Sequence, residues 1–321
     1  MKTKNFLLFL FLTFFYSLLI SCTSNTSSPK EGFIDVKGGK VWYRINGTGT
    51  KPALLLLHGG PGSSSYGLEN LKELSNDRPV IFIDQLGCGR SSRITDTSLM
   101  TIENYVEQFE IFVNQITKGG ILVYNEEDAT VKKVAEETTN TIRRLPYKTP
   151  SYSVEDGTTL LDTPEGPMPI EVFGAHNLNN LAGAKWICQN MGIDEADFYE
   201  AIASFKGASK RLEKIAEGNG KVAYKDFAHS PSKVSATTKA VKAQYPNRKL
   251  VACLELHTYS SLNAEFLKEY EGALDAADVA LVFYSPDAVK IKQLEEVSYD
   301  QIAQSFQRDD LIIYTNPAEF K

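Results

Sequence analysis

Thr101-Ile102-Glu103-Asn104-Tyr105-Val106-Glu107 opens a stretch where the chain changes from one kind of chemistry to another. From there Ile102, Tyr105, Val106, Phe109, Phe112, Val113 and Ile116 recur three and four residues apart, which predicts an amphipathic helix over 101–116. Thr101 is its candidate N-cap and Gly119-Gly120 its stop. Strand-like runs and helical patterns alternate on both sides of this helix, so the chain reads as α/β throughout.

Toward the N-terminus the grammar is β. Phe33 to Val36, a Gly38-Gly39 turn and Val41 to Ile45 predict a hairpin. Ala53 to Leu57 is a continuous apolar run, as expected of a strand buried on both faces, and it ends in His58-Gly59-Gly60-Pro61-Gly62. A helix near Tyr66 to Leu74 precedes a second buried strand, Val80 to Ile83, which closes on Asp84-Gln85-Leu86-Gly87-Cys88-Gly89-Arg90-Ser91-Ser92. Over residues 31–100 this order resembles the start of an α/β-hydrolase of the proline iminopeptidase family. The resemblance implies that His58, Gly59, Gly60, Pro61 and Gly62 are what remains of an oxyanion-hole loop. A G-x-S-x-G nucleophile elbow should follow, and the sequence contains none. No peptidase turnover is expected, and this partial sheet should be only marginally stable.

Toward the C-terminus, Ile121 to Asn125 predicts a buried strand, Glu126-Glu127-Asp128 a helix start, and Tyr152 to Phe173 a set of antiparallel strands. Gly174-Ala175-His176-Asn177-Leu178-Asn179-Asn180 opens a helix to about Met191. Phe205-Lys206-Gly207-Ala208-Ser209-Lys210-Arg211-Leu212-Glu213 follows, then a strand at Lys221 to Tyr224 leading into Lys225-Asp226-Phe227-Ala228-His229-Ser230-Pro231. After a helical Val234 to Val241, a strand at Leu250 to Leu254 ends in Glu255-Leu256-His257-Thr258-Tyr259-Ser260-Ser261; Val279 to Tyr284 and Leu311 to Tyr314 are further strands.

These words, in this order, resemble the Mur ligases, which use ATP to join an amino acid or peptide to a UDP-muramyl carboxylate. The similarity is greatest to ligases that recycle a murein tripeptide, then to the alanine-adding ligase, whose second histidine in A-H-H-P is Ser230 here. The resemblance places His176, Asn177 and Asn180 by the nucleotide's base and ribose, Arg211 by its phosphates, and Asp226 with His229 where the amine is oriented. It implies ATP and Mg²⁺ as cofactors and a UDP-muramyl substrate or murein peptide as partner. Read as residues alone, His176 and Asn177 also fit helix capping, and Asp226 with His229 fits a cap for a helix with Pro231 in its first turn. No G-x-x-x-x-G-K-[ST] phosphate loop occurs, and the family's UDP-binding domain is absent.

The chain has 321 residues, 42% hydrophobic and 23% charged, enough apolar material for one large or two ordinary domains. A net charge of −6 with scattered Lys and Arg gives no nucleic-acid footprint. Four cysteines and four histidines at wide spacing form no metal motif. Lys2 and Lys4, an apolar run from Phe6 to Ile20 and then Ser21-Cys22 have the order of an export signal; Leu19-Ile20-Ser21-Cys22 resembles a lipobox, which implies lipid on Cys22 and attachment to a membrane. A plain apolar anchor is the alternative. Lipidation points to the cell envelope, whereas the ligase portion implies the cytoplasm.

The expected division is a lipoprotein-type signal over 1–22, a linker over 23–30, a partial α/β-hydrolase over 31–100, a partial Mur ligase central domain over 101–206 and a Rossmann-like Mur ligase C-terminal domain over 207–321. The leading expectation for function is a catalytically incompetent remnant of an ATP-dependent Mur ligase. The alternatives are a lipid-anchored hydrolase without its nucleophile and a non-catalytic envelope lipoprotein that binds murein peptide.

Overall fold

The computed structural model describes residues 29–59, 63–96, 98 and 101–319, apart from the side chains of Ile102, Tyr105 and Gln108. Cys22, Gly60, Pro61 and Gly62 lie outside the described residues, as does the whole candidate signal. The chain divides into two compact units, 1–112 and 113–321. No described helix is long and apolar enough to cross a membrane.

The first unit is a four-stranded sheet in the order β1-β2-β4-β3. Strands β1 (Lys30–Val36) and β2 (Gly39–Asn46) form the expected hairpin, with Val36 opposite Gly39. β2 runs antiparallel to β4 (Val80–Asp84), and β4 runs parallel to β3 (Leu54–Leu57). The connection between β3 and β4 is a 3-10 helix, Ser65–Asn76, where the sequence predicts a helix near Tyr66 to Leu74. It packs Leu68, Leu71 and Leu74 against Trp42, Leu56, Val80 and Phe82. β3 pairs on one side only among the described residues, and Leu57 at its end is 50% exposed.

Helix α1 (Ile102–Asn114) forms where the apolar stripe predicts it. Its end is tied down within the second unit: the Asn140 side-chain amide donates to the carbonyls of Val113, Asn114 and Ile116. The amide's two N–H groups are shared among these carbonyls at and just past the helix end, of which Val113's also accepts from the Ile116 N–H.

The second unit continues with β5 (Ile121–Asn125), α2 (Ala129–Glu137) and β6 (Arg143–Tyr147), a parallel pair joined by a helix. The antiparallel meander β7 (Tyr152–Glu155), β8 (Thr158–Thr163) and β9 (Gly166–Ile170) then lies where the alternation predicts it. Helices α3 (Ala175–Asn190) and α4 (Glu195–Ala203) close a core of Leu161, Ile170, Leu178, Leu181 and Phe198. After a linker come the hairpin β10 (Glu213–Gly218) and β11 (Lys221–Lys225), helix α5 (Pro231–Gln244), and a parallel sheet of β12 (Val251–Leu256), β13 (Val279–Tyr284) and β14 (Ile312–Tyr314). A core containing Leu256, Leu267, Tyr270, Val282, Ile302 and Phe306 holds that sheet against its helices. Strands β6 and β10 and helix α4 are additions to what the sequence predicts.

Candidate functional site

In the first unit the two conspicuous loops are consumed by each other. The Asp84 carboxylate, 1% exposed, accepts the backbone N–H groups of Ser65 at 2.7 Å and Arg90 at 2.9 Å. Burial pushes its pKa up, but those N–H bonds outweigh it and the carboxyl lies below its ordinary value. The Ser91 hydroxyl donates to the Asp84 carbonyl and accepts from the Trp42 N–H. Arg90 stacks on the Trp42 ring at 4.2 Å. Gly89, with φ of +48°, lets the turn fold over the carboxylate: a Cβ there would stand 2.2 Å from Asp84 Oδ2.

His58, 4% exposed, is equally engaged. Its Nε2 accepts from the Gln85 N–H at 3.0 Å, and its carbonyl accepts from the Gln85 side chain at 2.6 Å. Both the ring and the carbonyl of His58 are thus spent on holding Gln85. Gly59 shares this loop end, and its Cβ position meets no atom of a described residue within 4 Å.

In the second unit, by contrast, the sequence-named residues gather around open space. A cavity of about 540 Å³ is lined by His176, Asn177, Asn180, Arg211 and Asp226, with the start of α5 on its far side. Each is put there by a local reason. Gly174, the N-cap of α3, has φ of +88°, and a Cβ on it would meet Ala240 of α5 at 2.6 Å. Only glycine allows both the turn and the close approach. No side chain caps the helix; the Asn177 amide instead donates to the Phe173 carbonyl at 3.0 Å. The capping alternative for this motif is therefore not what forms.

The linker that carries Arg211 is bent by two residues in the left-handed region, Lys210 (φ +59°) and Leu212 (φ +47°). Glu213 accepts from the Lys210 N–H at 2.8 Å and Asp226 accepts from the Leu212 N–H at 2.7 Å, so a carboxylate fixes each bend. Leu212 is buried, and Arg211 between the bends is exposed on the cavity with no side-chain bond to a described residue. Asp226 also accepts from the Ala228 N–H at 2.6 Å. Asp226 thus closes the loop and does not cap the helix that Pro231 begins, whose N-cap is Ser230 with no side-chain cap bond.

Burial pushes the His176 imidazole below its usual pKa, with Asp226 opposing and Arg211 adding to the shift. The ring is held toward its neutral form. His229 is not among the cavity's lining residues; its Nδ1 lies 2.9 Å from the Phe227 carbonyl and its ring packs on Phe227. A carbonyl can only accept, so Nδ1 carries the proton.

Sequence reasoning missed the residue that anchors this wall. Asn179, 8% exposed, donates to Glu127 at 2.7 Å and lies within bonding distance of Asn125 and Thr149. Glu127 in turn accepts from the Thr149 hydroxyl at 2.7 Å. The signal was a polar residue on the inward side of α3 between Leu178 and Leu181, both buried. Lys210 and Lys233 also line the cavity.

The α/β hydrolase fold family matches residues 52–123. A proline iminopeptidase of Heyndrickxia coagulans is 35% identical over 205 residues, an alignment covering 54% of this chain and 70% of that protein. A UDP-N-acetylmuramate--L-alanine ligase of Caldicellulosiruptor bescii is 28% identical over 193 residues, covering 56% of this chain and 42% of the ligase. The chain thus spans less than half the length of that ligase. MurF of Acinetobacter baumannii superposes with a TM-score of 0.51 at 12% identity, covering 69% of this chain and 48% of MurF, which is a likeness of fold. The composition is chimera-like, with hydrolase sequence at the N-terminus and Mur-ligase-like sequence over the rest. By its N-terminal portion, the chain belongs to the proline iminopeptidase family of α/β hydrolases.

Proposed function

We propose that the chain joins the opening of a hydrolase to the end of a Mur-type ligase, and that the ligase portion retains a nucleotide-facing cleft without the power to turn over. The observation that carries this is the gathering of His176, Asn177, Asn180, Arg211 and Asp226 around one cavity. The side chains suit such a ligand. Amides read a base edge, and three cations, Lys210, Arg211 and Lys233, face two carboxylates, Glu127 and Asp226, which favours a polyanion.

ATP with Mg²⁺ is the cofactor this reading assigns, and a UDP-muramyl compound or murein peptide the partner. Phosphoryl transfer needs a loop of N–H groups and a lysine around the β and γ phosphates, and no G-x-x-x-x-G-K-[ST] sequence supplies one. The hydrolase portion has no G-x-S-x-G serine, so no acyl-enzyme can form there. We place the domain limits at 31–100, 101–206 and 207–321, the join within codons 101–107, and the lipid on Cys22.

The test uses the full chain. Calorimetry with ATP and Mg²⁺ should show binding that Arg211→Ala weakens, while assays with UDP-N-acetylmuramate and murein tripeptide release no phosphate and a prolyl peptide is not cleaved. Phosphate release abolished by Asp226→Ala, or prolyl cleavage by the purified chain, would overturn the reading. Amplification across codons 90–115 of genomic DNA should give a product of the expected length.

A further inference from the structure

Two histidines of the second unit repeat one local device. His229 stands between β11 and α5, and His257 follows β12. In each, Nδ1 faces the backbone carbonyl two residues earlier, that of Phe227 at 2.9 Å and that of Glu255 at 3.2 Å. A carbonyl can only accept, so Nδ1–H donates in both rings and each neutral imidazole carries its free lone pair on Nε2. Neither Nε2 is bonded to a described residue.

The rings are also neighbours, with centroids 6.2 Å apart and planes at 58°. Phe227 packs on both, 5.0 Å from His229 and 6.1 Å from His257. The backbone beneath them is fixed to the core. The His229 carbonyl accepts from the hydroxyl of Tyr270, a fully buried residue, and Leu256, which precedes His257, is 1% exposed.

Distance and tautomer decide what the pair can hold. Two bare nitrogens side by side cannot bond to each other; they need a donor or a cation between them. A metal–imidazole bond of about 2.0–2.1 Å sets the ring centre about 3.2 Å from the ion, so two rings on one ion have centres at most about 6.4 Å apart. The observed spacing lies inside that limit. A backbone carbonyl taking the other ring N–H is the support that metal-bound imidazoles ordinarily have, because it fixes the tautomer and raises the basicity of the free nitrogen.

No third His, Cys, Asp or Glu completes a ligand set here among the described residues, so the remaining coordination positions fall to water or to a bound molecule. Imidazole nitrogen suits Ni²⁺, Cu²⁺ and Zn²⁺, whereas Mg²⁺ and Ca²⁺ select oxygen. We propose that His229 and His257 form a two-imidazole site for a divalent transition-metal ion of the Ni²⁺, Cu²⁺ and Zn²⁺ class. Neither residue lines the cavity around His176 and Arg211, so this site stands or falls independently of nucleotide binding there.

The test uses the full chain without a polyhistidine tag, and Ni²⁺ alone as the probe. Calorimetry should show a single equivalent of Ni²⁺ per chain, bound at least about tenfold more weakly by His229→Ala and likewise by His257→Ala, and no heat when Mg²⁺ replaces Ni²⁺. Binding that neither variant weakens, or that only one does, overturns the proposal. Half an equivalent per chain also overturns it, since two copies would then share the ion. Should the variants not fold, diethyl pyrocarbonate, which acylates bare imidazole nitrogens, decides in the unaltered chain. Ni²⁺ should slow labelling of His229 and His257 together by about tenfold and leave His176 as reactive as before; protection of one ring, or of neither, is the contrary result.

Discussion

Two glycine-rich words in this chain look equally functional on paper, yet their side chains are spent in opposite ways. In the loops after β3 and β4, Asp84, Ser91 and His58 are buried and bonded inward, to Ser65, Arg90, Trp42 and Gln85. Around α3, the buried Asn179 bonds to the exposed Glu127, and Asn180 and Arg211 are left exposed on a cavity. In the first region the polar groups are spent on stability; in the second, side chains of the motif are left facing open space. The difference is read from where the hydrogen bonds go rather than from which residue types are present.

The two regions should differ most in their response to the loss of Asp84. Asp84→Ala leaves the buried Ser65 N–H and the part-buried Arg90 N–H without an acceptor, so the first unit should lose about 2 kcal/mol. Exchange of β4 amides should rise steeply while β12 amides are unmoved; equal loss in both would mean that the two units unfold as one. At Gly174 the expected cost is comparable, about 2 kcal/mol for Gly174→Ala, because the new Cβ meets Ala240 in a left-handed turn. Urea melts of the second unit measure it, and an unchanged midpoint would show that the α3–α5 approach relaxes freely.

Arg211→Ala should behave in the reverse manner. Its side chain holds nothing in place, so stability should stay within about 0.5 kcal/mol, while affinity for ATP falls tenfold or more through loss of a charge-assisted contact. A destabilised variant with unchanged affinity would move Arg211 into the structural class of Asp84.

The smallest effect concerns His176. Its folded pKa is lowered, so the unfolded state binds the proton more readily. The sign follows: its contribution is complete above the unfolded value of about 6.5 and declines as pH falls from there through the lower folded value. His176→Gln should flatten this part of the stability profile between about pH 7 and 5, and an unchanged slope would assign the pH dependence elsewhere.

Much of this was legible because it is local. The β1–β2 turn, the apolar runs of β3 and β4, the alternation of β7 to β9 and the stripe of α1 each depend on neighbours within a few residues. The bond from Asn179 to Glu127 spans 52 positions, and nothing in either segment alone announces it. β10 was illegible for a related reason: five of its six residues are exposed, so no burial pattern marks it. His229 follows Asp226 closely in sequence, yet a bend returns its Nδ1 to the Phe227 carbonyl, and proximity in the chain did not become proximity to the cavity.

Strand β3 has a consequence at the scale of the cell. Leu54–Leu57 is a run of four leucines paired, among the described residues, with β4 alone, and Leu57 at its end is half exposed. Such an edge offers its backbone to any other extended chain it meets. The amount of this protein that stays dispersed is then governed by how often molecules collide, a quantity that folding free energy does not set. Leu57→Lys, a charge at the end of that edge, should raise the concentration at which light scattering begins, and an unchanged onset would mean that the edge is already shielded.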